Sequence, residues 1–183
     1  MTTEDVRRAI RGDHDAFAAL IGAASTRLYA LACLILRDPD RAEDATQEAF
    51  IRAWREVPRL REAERFDAWL RRLVVNSCYD AARRTTRRAE VTLFSVRDRS
   101  VVDTSAAMAE TDRIDRAFRR LPLDQRSVLV LQHYFQLSHV EIAETLALPL
   151  GTVKSRVRYG IAAMRAALEA NDRAASASGR RSA

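Results

Sequence analysis

Turn-forming residues are scarce in this chain: 5 glycines and 4 prolines serve 183 residues. A many-stranded sandwich or barrel needs turn residues every ~10 positions, so an all-β fold is excluded. Abundant Ala, Leu, Arg and Glu instead favour long helices, and the expected class is all-α. Cysteine is equally sparse. Cys33 and Cys78 stand far apart in sequence, without the close pairs of a zinc or dithiol site, and are expected to be reduced core residues. The three histidines, His14, His133 and His139, do not fall at a metal-binding spacing on one helix face, and no glycine-rich phosphate loop occurs. Neither a metal nor a cofactor is expected, and an enzyme is not. The charged N-terminus lacks an apolar signal core, and no run reads as a span of about 18 apolar residues. A cytoplasmic protein without membrane insertion is expected.

Hydrophobic residues make up 48% and charged residues 31%, the balance of a globular chain with room for one domain or two small ones. The net charge is +6, and all but one of the 31 basic residues are arginine, Lys154 being the exception. Guanidinium forks bind phosphates and base edges bidentately, which makes nucleic acid the leading partner class. The charge is also segregated. Asp38–Glu56 carries six acids against three bases, Arg61–Glu90 carries eight bases against five acids, and Ala147–Leu168 carries four bases and no acid. One segment is suited to a different partner from the other two.

From an Asp13 cap, Phe17, Leu20, Ile21, Ala24, Leu28, Leu31 and Ile35 recur at helical spacing, and the helix ends near Arg37. Asp38-Pro39 caps and starts a second helix, running to about Val57 with a buried stripe of Ala42, Ala45, Ala49, Phe50 and Ala53. Opposite that stripe, Ile51 lies among Asp44, Gln47, Glu48 and Arg55, with Trp54 at the border. Ile51 is either a protein contact or a lone exposed isoleucine. Asp44 and Glu48 also stand at the spacing of a carboxylate pair, though a solvated face explains them more simply. A third helix, about Phe66 to Arg84, carries Phe66, Trp69, Leu70, Leu73, Val74, Ser77 and Ala81 along one stripe. Its flank gathers Arg72, Asn76, Tyr79 and Arg83, which suits single-stranded nucleic acid through phosphate contact and stacking, or is a solvated charged face. Arg84, Arg87 and Arg88 extend the positive surface.

Periodicity then disappears, and 89–110 is expected to be a flexible linker, as 171–183 is expected to be a disordered tail. Between them, 111–170 forms a second helical unit. Ser138-His139-Val140-Glu141 fits a capping box that opens a short helix through Leu146. A turn at Ala147–Leu150 leads into a longer basic helix, giving the helix-turn-helix arrangement whose second helix enters the major groove. On that helix Val153, Val157, Ile161, Met164 and Leu168 share a stripe expected to face the core. Opposite them lie Thr152, Ser155 and Tyr159, with Arg156 to one side and Lys154, Arg158 and Arg165 to the other. Hydroxyls are thereby aimed at base edges and cations at phosphates.

Three stretches, in order and at the right spacing, resemble the extracytoplasmic-function group of sigma-70-type transcription initiation factors. They are Asp40-Arg-Ala-Glu-Asp-Ala-Thr-Gln-Glu-Ala-Phe-Ile-Arg-Ala-Trp-Arg55, then Phe66-Asp-Ala-Trp-Leu-Arg-Arg-Leu-Val-Val-Asn-Ser-Cys-Tyr-Asp-Ala-Ala-Arg-Arg84, then Glu141-Ile-Ala through Gly151-Thr-Val-Lys-Ser-Arg156. The resemblance implies a region 2 over 1–88 and a region 4 over 111–170. It implies that Asp44, Gln47, Glu48, Ile51, Trp54 and Arg55 dock on the clamp helices of the largest subunit of core RNA polymerase, with the polymerase flap as a further contact. It places Asn76, Asp80, Arg83 and Arg84 among the residues that melt and read the minus-ten promoter element, and gives the last helix the minus-thirty-five element. An anti-sigma factor is an implied partner. The family usually has Gly where Ala147 stands, often Arg at the position of Tyr159, and commonly an aromatic residue at that of His139. The competing reading is a helix-turn-helix regulator that acts without binding polymerase. That role needs a sensor or dimerisation domain, where this chain has an acidic face and a second basic face.

Overall fold

The computed structural model describes residues 2–91 and 106–179, with side chains over 2–85 and 113–170. The described residues form eight α-helices and two 3-10 turns, with no strand among them: α1 (Thr3–Ile10), α2 (His14–Leu36), α3 (Pro39–Glu56), α4 (Phe66–Val91), α5 (Ala106–Arg119), α6 (Leu123–His133), α7 (His139–Leu146) and α8 (Leu150–Gly179). The 3-10 turns, Val57–Arg59 and Ala63–Arg65, carry the chain from α3 to α4.

Short polar side chains set the helix starts. Asp13 accepts from the Ala16 amide at 2.9 Å and Asp38 from the Arg41 amide at 3.1 Å, each satisfying an amide that has no partner within its helix. Thr2 and Asp5 form a reciprocal capping box that starts α1, a helix absent from the sequence reading. The Ser138 box is present as expected, its amide donating to Glu141 Oε2 at 2.8 Å while Ser138 Oγ accepts from the Glu141 amide at 3.3 Å.

The first half packs α2, α3 and α4 around Leu20, Leu31, Ile35, Phe66, Leu70 and Val74, all fully or nearly fully buried. The contribution of α3 is a stripe of small residues, Ala42, Ala45, Ala49 and Ala53, each with no exposed surface. By length and composition α2 meets the test for crossing a membrane, with a mean hydropathy of 1.8, contrary to the sequence reading. Alanines on its exposed side, Ala18, Ala19 and Ala23, raise that value, while its large apolar side chains line the core.

In the second half, Ala117, Leu121, Val128, Leu131, Ile142, Val153 and Val157 are buried. The buried stripe of α8 runs Val153, Val157, Gly160 rather than through Ile161, which is 43% exposed. At Gly160 an added Cβ would lie 3.0 Å from a Leu129 methyl, so a side chain there would push α8 away from α6. The helices also outrun their expected ends. The described α4 reaches Val91 and α5 begins at Ala106, which narrows the expected linker of 89–110, and residues 92–105 lie outside the described part. Likewise α8 continues to Gly179 through most of the expected disordered tail, of which 180–183 lie outside the described residues.

Ala147 caps α7 at φ 50 and ψ 48, the left-handed region in which Cβ crowds the following carbonyl. Glycine adopts this conformation without that clash. Ala147→Gly is therefore expected to raise the unfolding free energy by roughly 0.5–1 kcal/mol. Urea denaturation followed by circular dichroism checks this, and a loss of stability would contradict the strain.

Candidate nucleic-acid and docking interfaces

The acidic face of α3 is a shallow depression of about 490 Å³ lined by Asp44, Gln47, Glu48, Ile51, Arg52, Arg55 and Glu56. The alanine stripe fixes its orientation: with the small residues turned inward, these side chains must point out. Ile51 is 55% exposed in the middle of it. Arg52 and Glu56 belong to this surface and escaped the sequence reading, although both lie on the same helical face. Trp54 does not join it. Its ring lies tilted against His14, 4.3 Å between centroids, and meets Phe17 edge-on at 5.0 Å, which makes it a packing residue between α3 and α2.

On α4, Arg72 and Arg83 are exposed, and Asn76 and Asp80 are half-buried. Arg83 Nη2 donates to Asp80 Oδ1 at 2.7 Å, and Arg84 Nη2 donates to Glu48 Oε2 at 2.8 Å. Hydrogen bonding to the Glu48 carboxylate raises the pKa of Arg84 above the ordinary arginine value. Arg52 approaches both Glu48 and Asp80, so one charge network joins the α3 and α4 faces. Tyr79 departs from its expected exposure. It is half-buried, with its hydroxyl sealed against the second half near Ser127, Asp124 and Arg156, and burial raises its phenol pKa. Val75 one turn earlier has no exposed surface. The sequence offered no sign of this, because a flank that packs on a distant helix shows the same polar pattern as one that faces water.

On α8, Lys154, Arg158 and Tyr159 are exposed, Tyr159 by 55%, and Thr152, Ser155 and Arg156 are half-buried. Arg158 lies over the Tyr159 ring, 4.9 Å from its centroid, and donates to its hydroxyl at 3.1 Å. Ser155 Oγ donates to the Thr152 carbonyl at 2.9 Å. Arg156 Nε pairs with Asp124 Oδ2 at 3.2 Å. Arg165 is exposed but lies two turns beyond Arg158 and lines an apolar groove instead. That groove, about 580 Å³, is bounded by Leu34, Ile114, Phe118, Tyr134, Ile161 and Leu168. Among the described residues no group of three or more His, Cys, Asp or Glu is placed to hold a metal ion.

Two family models match, sigma-70 region 2 over residues 20–88 and sigma-70 region 4 over residues 111–164. The chain is 32% identical over 178 residues to the ECF RNA polymerase sigma factor SigW of Bacillus subtilis, covering 90% of this chain and 95% of that protein. The chain belongs to the ECF sigma factors. A second relative, the ECF sigma factor SigM of Mycobacterium tuberculosis, is 34% identical over 147 residues, covering 80% of this chain and 74% of its own. Among solved structures, the sigma factor RpoE of Bartonella quintana in complex with the anti-sigma factor NepR superposes with a TM-score of 0.70 at 21% identity, over 84% of this chain and 96% of that one. CnrH in complex with the cytosolic domain of CnrY gives 0.68 at 24%, over 92% and 97%. At these identities the likeness is one of fold. As a sigma factor, the protein binds core RNA polymerase and directs transcription initiation at promoters.

The burial of Tyr79 separates it energetically from its neighbours on this sigma factor. Tyr79→Ala is expected to lower the unfolding free energy by roughly 2 kcal/mol, whereas Arg72→Ala stays within ~0.5 kcal/mol. Equal effects in urea denaturation would contradict the packing described.

Proposed function

We propose a division of labour among the three faces of this sigma factor. The acidic depression of α3, with Asp44, Gln47, Glu48, Ile51 and Arg55, docks on the clamp helices of the polymerase's largest subunit, with Trp54 holding the helix in place behind it. The observation that carries this is an isoleucine more than half exposed amid charged and amide side chains, on a helix whose other face is buried alanine. An exposed apolar centre ringed by polar groups is the anatomy of an interface core and rim.

The α4 flank handles the minus-ten element as single-stranded DNA. Arg72, Arg83 and Arg84 supply cations for the backbone, Asn76 and Asp80 offer polar groups to base edges, and Tyr79 offers a stacking ring once the second half moves away. The exposed side of α8 reads the minus-thirty-five duplex, with Lys154, Arg156 and Arg158 on phosphates and Thr152, Ser155 and Tyr159 toward base edges. Arg165 reaches phosphate only at the far edge of such a site. The region 2 and region 4 boundaries, 1–88 and 111–170, follow this division, and the polymerase flap is a further contact of region 4.

An anti-sigma factor completes the partner set. The apolar groove that contains Ile114, Ile161 and Leu168, lined also by His133 and Arg165, supports this by offering an amphipathic helix an apolar seat beside basic groups. The work is binding and strand separation in the cytoplasm, without catalysis, cofactor or membrane insertion.

Ile51→Glu is expected to weaken binding to core polymerase at least tenfold in a fluorescence titration, with the melting temperature held. Unchanged affinity would remove α3 as the docking face. For α8, Lys154→Ala and Arg158→Ala in the polymerase-bound protein should each lower the salt slope of promoter binding by about one. Ser155→Ala should instead alter base preference in a randomised-site selection and leave the slope unchanged. A slope change in Ser155→Ala equal to those of the cation variants would contradict the assignment.

A further inference from the structure

Tyr159 is the only aromatic residue of α8, and it stands 55% exposed, one turn past Ser155 on the outward side of the helix. Its hydroxyl is already engaged on one side. Arg158 Nη2 donates to the Tyr159 oxygen at 3.1 Å, and the guanidinium carbon lies 4.9 Å from the centroid of the same ring. Adjacent residues on a helix do not face one another, so this pairing comes from the reach of the arginine side chain, which folds back across the ring. Cation–π attraction and the hydrogen bond then hold the ring together.

The pairing fixes what the phenol can offer. An oxygen that accepts from a guanidinium keeps its own proton for a third group, and the donation into it makes that proton a better donor. Arg158 spends one N–H on this contact and retains others of its five for a phosphate, so it can tie the ring to the DNA backbone.

We infer that Tyr159, oriented by Arg158, reads a thymine in the duplex that α8 binds. The proposal deepens the reading of α8 as the minus-thirty-five face and rests on it. In the major groove guanine presents acceptors at O6 and N7, adenine an acceptor at N7 and thymine an acceptor at O4, whereas cytosine presents only its N4 donor. A side chain restricted to donating has no partner on cytosine. Guanine sets two acceptors side by side and suits a fork of two donors, and adenine places a donor next to its acceptor. Thymine alone sets a single acceptor beside an apolar group, its C5-methyl. Tyr159 carries the matching pair, one O–H at its tip and an apolar ring edge behind it. Arg158 is the positioning residue of this contact and a phosphate ligand at the same time.

The test uses the full chain bound to core polymerase and a promoter library randomised across the minus-thirty-five element. Wild type should prefer thymine to cytosine at one position by about tenfold. Tyr159→Ala should abolish that preference and leave the salt slope as it is, with circular dichroism unchanged. Arg158→Ala should lower the slope and also reduce the preference about threefold or more, a change that loss of a phosphate contact alone would not produce. Base analogues at the selected thymine separate the two contacts. Uracil keeps O4 and lacks the methyl, while 5-methylcytosine, paired with guanine, keeps the methyl and lacks O4. Wild type should discriminate against both, whereas Tyr159→Phe should discriminate against uracil only. Selection of a G·C pair, in either orientation, at the position altered by Tyr159→Ala would overturn the thymine assignment. So would wild-type discrimination against 5-methylcytosine in Tyr159→Phe. A thymine preference untouched by Arg158→Ala would overturn the positioning role. An effect of Ser155→Ala on base preference with none of Tyr159→Ala would refute the tyrosine contact alone, and no effect of either would refute the reading of α8 itself.

Discussion

The close approach that α3 allows governs the arrangement of the first half. Four alanines, Ala42, Ala45, Ala49 and Ala53, form the centre of its inward stripe together with Thr46, the alanines having no exposed surface, while Phe50 and Trp54 pack partly buried at its edges. Helix separation follows the size of the side chains at the contact, so a stripe of this kind brings α3 close to both α2 and α4. Larger residues would force the helices apart and open voids around Leu31, Ile35 and Val74. The outward face follows from the same constraint. With the alanines and Thr46 turned inward, the acids, Ile51 and Arg55 are displayed together, and one helix provides both the packing surface and the exposed docking face.

Arginine does three different jobs here, and environment decides which. Arg72, Arg83 and Arg158 remain exposed and available to phosphate. Arg52 and Arg84 link the α3 and α4 faces through Glu48, so the surface assigned to polymerase and the surface assigned to DNA share a network. Exposed pairs of this kind contribute little to stability and exchange readily for other partners. Arg126 is of a third sort: it is buried on the Ile35, Arg119 and Leu121 carbonyls, with no carboxylate paired to it among the described residues, and burial brings its pKa down to about 10. A cation so placed carries no information for DNA and instead ties segments of chain together. Counting charge along the sequence could not separate these roles, since each needs the identity of a partner far away in the chain.

Much of the fold was legible because its signals are local. The Asp13 and Asp38 caps, the Ser138 box, the helical class and the order of the main helices all follow from neighbouring residues. Misreadings arose where distant contacts decide. Trp54 looked like a surface residue at the edge of the docking face until His14 and Phe17 enclosed it. Tyr79 shares a flank with Arg72 and Asn76, yet the second half covers it. Ile161 was assigned to the core because Val157 precedes it by four, whereas Gly160 takes the place against Leu129 and turns Ile161 into the apolar groove. The α1 helix went unread because it is short and its capping box uses Asp5 in place of the more usual glutamate or glutamine. The resemblance marked Ala147 only as a position where the family usually has Gly, and the positive φ found there supplies the physical reason.

The account depends on these faces acting together as a promoter-reading surface on polymerase, with neither half sufficient alone. The most direct measurement is multi-round transcription with the purified chain and core polymerase on a library of genomic promoter fragments, with transcript starts mapped by sequencing. The account predicts transcripts that depend on the added protein, from starts that share one minus-ten sequence and one minus-thirty-five sequence at nearly fixed spacing. Sequence-specific binding of the isolated protein to duplex DNA, with no transcript dependent on it, would contradict the account and leave a regulator that works without polymerase.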